Sequence, residues 1–458
     1  MNFKISSILV AAAAALSVPA IAQNTYSGYF TDNYTYRFLL NPAYDNTMNF
    51  VAMPALGNLN VGFQGNAHLK NVIYNVGGKT VLFTNPGVSA NDVLKNIHDK
   101  NKLGFDTRIG ILSAGFKALG GYNTVSISAR ANANVSVPGT IFRFLKEGIE
   151  NKTYDISDLR ASAQAYAEIS LGHSHDLSKF VKGLRVGANV KFLIGAGNID
   201  AYLDRADITL GEDSWRGVTN ARIYSSVKGL KYKTEYSDKT GRDYVSGMDI
   251  DGYGLNGFGL GFDLGATYKL NPDWEFSLSV LDLGFISFSN TQLATTNGDR
   301  TIDTNDYSFN PDDDAENSFS KEWKRMRNQV MDLYQLDDEG DQGSRARALG
   351  ATLNVGALYT FPYYRNLKFG LMNTTYINGP FTYTNFRLSA NVAPVKVVSA
   401  NVNFAVGTYG CAFGWMLDVH PKGFNLFLGM DHTIGKLSKQ GIPLNSNAEF
   451  NFGINFPF

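Results

Sequence analysis

The chain has 458 residues, of which 18% are charged, 44% hydrophobic and 13% aromatic, with 46 Gly and a single Cys. The 41 Lys+Arg balance 41 Asp+Glu, so the net charge is zero and there is no electrostatic footprint for nucleic acid. One cysteine excludes a disulfide scaffold, and no Cys/His spacing fits a structural zinc site.

The first 22 residues read as a secretory signal peptide. Lys4 is the basic start, Ile8 to Val18 is the apolar run, and Ala20, Ile21 and Ala22 form a small-x-small cleavage site. Pro19 interrupts the run, which is too short for a membrane anchor. No cysteine follows the site, so no lipid anchor is expected. The mature chain then starts near Gln23 and is exported.

From there the recurring pattern is period two. Residues 59–69, 125–135, 184–194 and 258–270 alternate apolar with polar or glycine. So do 349–359, 386–392, 398–406, 411–419 and 424–430, and the chain ends on Phe450, Phe452, Ile454, Phe456 and Phe458. Weaker alternation marks 103–115, 161–171, 199–209, 218–228, 274–286 and 369–377. Successive side chains of a strand point to opposite faces, so each segment has one apolar and one polar face. The total is about 14–16 strands, many near the 9–11 residues that cross a bilayer when tilted.

The connections divide into two kinds. Segments 70–102, 136–160, 229–256, 287–348 and 432–447 are long. Segments 116–122, 172–183, 210–217, 271–273, 360–368, 393–395 and 420–423 are short. With the last strand ending in the periplasm, the long set falls outside and the short set inside, as in outer-membrane barrels. Only a helix or a closed barrel can satisfy its backbone in lipid. The fold class expected is therefore all-β, a transmembrane antiparallel β-barrel over residues 59–458, in the cell outer membrane. Interleaving lipid-facing and lumen-facing residues also explains a mean hydropathy of only −0.16.

Candidate chemistry is sparse. His173 and His175 could face a metal but lack a third ligand nearby, and solvated turn residues are the simpler reading. The acidic stretch Asp299–Asp314 lacks the order of an EF-hand and reads as a solvated loop. Phe319, Trp323, Met326, Val330 and Leu333 recur at helical spacing, which predicts a short amphipathic helix in the outer loop. Asp106, Arg108, Arg130, Glu168, Arg185, Lys191, Asp263, Lys269, Glu275 and Arg387 fall on the lumen register. They read either as a structural network of mixed sign or as a polar path. Cys411 falls on the lipid register as a small hydrophobe. No Gly-x-Ser-x-Gly, P-loop or usable carboxylate pair appears, so neither an enzyme nor a cofactor is expected.

The terminal run, with Phe456 and Phe458, resembles the C-terminal signal strand that the barrel-assembly machinery reads in outer-membrane proteins. Asn41, Pro42 and Ala43, followed by VAMPALGNLNV at 51–61, resemble the N-terminal region of FadL-like barrels. That group includes long-chain fatty-acid transporters and type IX secretion accessory barrels. GFGLGFDLGATYKL (257–270), FSLSVLDLGFISF (276–288), LRVGANVKFLIGAGN (184–198), and Val137 and Pro138 followed by FRFL (142–145) are similar to one domain-of-unknown-function family in that group. The resemblance spans nearly the whole mature chain. It implies that residues 23–58, with Asn41, Pro42 and Ala43, sit inside the barrel as a hatch. As sequence alone, Asn41-Pro42 is also an ordinary turn.

Two functions follow as expectations. One is a FadL-like passive transporter or binding barrel for small hydrophobic molecules. The other is a non-conducting scaffold for a secretion or surface-assembly system, whose loops 229–256 and 290–348 bind a protein partner. Outer-membrane lipid is a partner in both.

Overall fold

The computed structural model describes residues 25–147, 152–210, 215–238, 240–252, 254–303, 319–433 and 447–458. The signal-peptide segment and most of the acidic stretch, from 304 to 314, lie outside the described residues.

Fourteen antiparallel wall strands close into a barrel. They are β1 (Leu59–Gly65), β2 (Lys100–Ala118), β3 (Gly121–Pro138), β4 (Leu159–Asp176), β5 (Leu184–Leu210), β6 (Gly257–Lys269) and β7 (Trp274–Phe288). Then follow β8 (Ala351–Thr360), β9 (Leu367–Ile377), β10 (Tyr383–Val395), β11 (Val398–Gly407), β12 (Gly410–Val419), β13 (Asn425–Met430) and β14 (Ala448–Pro457). Each pairs with its neighbours in sequence order, and β1 closes the ring on β14, Leu59 opposite Phe452. Ahead of β1, the three residues Phe50–Ala52 already pair with both β14 and β2. Closure leaves no free sheet edge in the wall.

The alternation read from sequence becomes two surfaces. Phe258, Leu260, Phe262 and Leu264 of β6 are exposed on the outside, Phe258 at 68%. The same holds for Leu371 of β9, Leu388 of β10, Phe404 of β11 and Phe413 of β12. Inward positions such as Asn189, Asp263, Ser279, Asn354, Asn403 and Asn451 are buried. An apolar exterior around a polar interior is the arrangement that lipid selects. Cys411 is exposed on that exterior.

One expectation is corrected. Segments 199–209 and 218–228 are both strands, but they do not add two wall strands joined by a short inner turn at 210–217. β5 is one strand of 27 residues. Its first half pairs with β6, and its second half with Trp215–Val227. The ladder ends where Leu210 faces Trp215, at the long-loop end. Gly195 and Gly197 suggest a turn between two strands. Gly195 instead gives room to Phe288, whose ring would meet a Cβ placed there at 2.6 Å. The strand therefore runs on past them.

That outer ladder extends further. Trp215–Val227 pairs with Thr291–Thr295 and Arg300–Asp303. Together with the hairpin Leu230–Ser237 and Arg242–Ile250, it encloses a small core of Ala201, Ala221, Ile223, Leu230, Tyr232, Ala294 and Leu336. The helix Phe319–Asp332 stands beside this outer sheet.

Candidate functional site: the filled lumen

Residues 25–44 pack against inward-facing residues of the wall. Tyr29, Phe30, Tyr34, Tyr36, Phe38, Leu40 and Tyr44 are buried in one cluster with wall residues Leu358, Met372, Met416 and Phe427. Tyr34 meets Phe427 edge-on, with centroids 5.0 Å apart, a favourable aromatic geometry. The wall makes room with glycine. A Cβ on Gly187 of β5 would collide with Pro42, one on Gly265 of β6 with Asn41, and one on Gly370 of β9 with Phe30. Asn41, Pro42 and Ala43 are all buried there.

The segment bonds to itself through its main chain and to the wall through side chains. Among the described residues, every main-chain to main-chain bond of residues 25–48 stays within the segment. Wall attachment is by other means. Asp431 accepts from the N–H groups of Tyr26 and Ser27, each at 2.6 Å, and from the Ser27 hydroxyl at 2.5 Å. Tyr36 donates to Asn455 at 2.9 Å and Thr35 to Asn425 at 3.0 Å. Asn41 donates to the carbonyls of Ala266 and Leu278. Ser279 and Asn354 donate to the Leu40 carbonyl at 2.8 and 3.2 Å. At the short-turn rim, Lys368 pairs with Asp32 at 2.7 Å and Arg185 with Asp45 at 3.3 Å.

Directly above the segment, toward the long loops, is a layer of buried charge. Arg108 and Arg130 both donate to Glu168, at 3.0 and 2.9 Å. Arg130 also pairs with Asp282 at 2.9 Å. Lys191 lies 2.6 Å from both Asp282 and Asp263. Asn189 donates to Asp263 at 2.8 Å. Five of the ten residues read as lumen-lining are thus in one network: Arg108, Arg130, Glu168, Lys191 and Asp263. Arg185 is instead at the rim against the inner segment. Arg387 is apart, donating to Asn403 and standing 3.6 Å from Asp431. Asp106 borders a narrow cleft with Tyr26, Arg387, Asp431, His432 and Glu449. Its free space of about 20 Å³ suits a single water. Lys269 is not in the lumen. It is exposed at the rim, 3.8 Å from Glu275.

Asp282 is missed by sequence reading, and the reason is a change of parity. In β7, Ser277, Ser279 and Leu281 face inward, which assigns Asp282 to lipid. Asp282 has φ +59, and the β6–β7 register shifts between Phe262 and Leu264. This bulge turns Asp282 inward and moves the inward set to Ile286 and Phe288. A carboxylate in the lipid register is costly, so the acid itself marked a register break. Asp431 is the second omission, since it follows β13 where the alternation has ended.

The remaining candidates are peripheral. His173 and His175 belong to the end of β4, not to a turn, with rings 5.7 Å apart and His173 Nδ1 paired with Asn123. Asp299 pairs with Arg205 at 2.6 Å. Phe456 and Phe458 are exposed at the end of β14.

A family model described as "Family of unknown function (DUF5723)" matches residues 42–431. The chain belongs to this family. Its match runs from the buried segment at Pro42 to the anchor at Asp431. No curated protein matches the sequence. Among solved structures, the chain is similar to the Ralstonia pickettii toluene transporter TbuX. Identity is 9% over 96% of this chain and 95% of that one, with a TM-score of 0.41. It is similar also to the P. putida toluene transporter TodX, at 10% identity over 93% of each chain and a TM-score of 0.41. A Pseudomonas aeruginosa FadL homologue aligns at 8% identity over 96% of this chain and 98% of that one, with a TM-score of 0.36.

Proposed function

We propose that this family member is an outer-membrane barrel that passes small hydrophobic molecules when the segment 25–48 shifts within the lumen. The observation that carries this reading is the bonding of that segment. Its main chain is bonded internally, and the wall holds it only by side chains and packing. It can therefore move without breaking a strand ladder. The wall face it would uncover carries Leu358, Met372, Met416 and Phe427 beside the amides of Asn354, Asn425 and Asn455, which suits an apolar solute with few hydrogen bonds to satisfy. The charged layer of Arg108, Arg130, Glu168, Lys191, Asp263 and Asp282 is a second closure in the same lumen. Its three cations face three carboxylates, so they hold one another more strongly than they would draw a charged solute.

Deletion of residues 25–48 tests the reading. The expected result is a large rise in conductance or solute flux through planar bilayers or liposomes, with the barrel still folded. A folded deletion variant that leaks no more than the full chain would overturn it.

One observation favours the scaffold alternative. The outer ladder on β5 has its own core and extends past the wall, which provides a rigid surface for a protein partner. A stoichiometric partner retained in mild detergent would support the scaffold, and bound lipid or hydrocarbon would support transport.

A further inference from the structure

The six connections at the short-turn end of the barrel share a composition. Each places a basic residue within three positions of a large exposed apolar one. The pairs are Lys117 with Leu119, Lys179 with Phe180, Lys269 with Leu270, Arg365 with Tyr363, Lys396 with Val397, and Lys422 with Phe424. The apolar tips are unusually bare: Leu119 and Phe180 are 85% exposed and Tyr363 is 90% exposed. Turns of a soluble protein have no reason to hold such residues at every position around a ring.

The bases differ in engagement. Lys117 donates to the Thr47 carbonyl, Lys269 stands near Glu275, and Arg365 pairs with Asp273. Lys182 shares the second turn with Lys179. Among the described residues, Lys179, Lys182, Lys396 and Lys422 are exposed and have no carboxylate partner. Two aromatic pairs stand at this rim. Trp274 packs on Tyr359 at 4.9 Å, and Phe424 is near Phe456 at 6.4 Å. Tyr and Trp favour the headgroup level of a bilayer, and lysine stems reach past it to the phosphates.

We propose that this rim is a binding ring for anionic phospholipid headgroups of the leaflet at the short-turn end. The bases and apolar tips encircle the whole barrel and continue its apolar belt. A continuous leaflet presents itself to such a ring from all sides, whereas a protein partner covers a patch. The chemistry is an ammonium on a phosphate oxygen, with the neighbouring apolar tip among the acyl chains. The inference rests on the membrane placement proposed above.

The test uses the full mature chain reconstituted in equal phosphatidylglycerol and phosphatidylcholine. The protein is re-extracted in mild detergent, and retained lipid is counted by mass spectrometry. At least threefold enrichment of phosphatidylglycerol is expected. The quadruple variant Lys179→Gln, Lys182→Gln, Lys396→Gln and Lys422→Gln should lose most of it. Should that variant not fold, the wild type in 1 M salt should lose the enrichment through screening. Equal retention of the two lipids by the wild type overturns the proposal. So does an enrichment that survives both the substitutions and the salt. Equal retention together with a stoichiometric acidic protein co-isolated from membranes would assign the rim to that protein instead. Failure to enter any bilayer, neutral ones included, would instead overturn the membrane reading.

Discussion

Asp431, at the upper end of β13, closes onto Ser27 through both a main-chain N–H and a hydroxyl. The same carboxylate takes the N–H of Tyr26 and lies near Arg387. It is fully buried, so its removal strands the N–H groups of Tyr26 and Ser27 and takes the counter-charge away from Arg387. Asp431→Ala should therefore cost about 3–5 kcal/mol of the seated arrangement. The expected readout is protease cleavage within residues 25–48 in a barrel that still resists unfolding by detergent on gels. Asp431→Asn keeps acceptor capacity and should lie between.

Gly187 offers a steric route to the same end. Its missing side chain leaves room for the Pro42 carbonyl, which belongs to main chain and cannot simply rotate away. Gly187→Ala should push the segment off β5 at a cost of about 1–3 kcal/mol. Leak through planar bilayers should rise while the thermal stability of the wall changes little. Wild-type conductance in this variant would argue against a tightly seated segment.

The charged layer answers to a different perturbation. Glu168 receives two arginines at complete burial, so Glu168→Gln should destabilise the barrel by about 3–5 kcal/mol. Replacing Arg108, Arg130 and Glu168 together by apolar residues of similar size should cost less than that single change. Thermal unfolding on heat-modifiability gels distinguishes the two.

Asp158 lies outside the wall, in the turn before β4. The Lys100 ammonium, hydrogen-bonded to it at 2.9 Å, holds its carboxyl below the ordinary range. Its contribution is present above the unfolded value of about 3.9 and is lost as pH falls through the lower folded value. Lys100→Met should bring the carboxyl midpoint, followed by carbon NMR, back up toward the ordinary value. An unchanged midpoint would remove Lys100 as the cause.

Much of the wall was legible because alternation is local. Each strand reports its own two faces, and the short turns announce themselves. The charge network was legible only as a set of residues. Its partners lie far apart in the chain, Arg108 to Glu168 by 60 positions and Arg130 to Asp282 by 152, and single-strand periodicity does not encode which strands meet. Asp282 escaped because one bulge changed parity. The inner segment has no period at all. Tyr29, Phe30, Tyr34, Tyr36 and Phe38 follow a series of tight turns, so periodicity says nothing of what they pack against.

The length of β5 has a last consequence. The same strand touches Pro42 at Gly187 and carries the outer sheet up to Leu210. Its hydrogen-bonded ladder is stiff along its axis, so the two ends behave as parts of one rod. Any molecule that binds the outer sheet differently in the seated and unseated states must bias the inner segment. By linkage, the inner segment must bias that binding by the same factor. A sensor on the outside and a closure on the inside would then share one free energy.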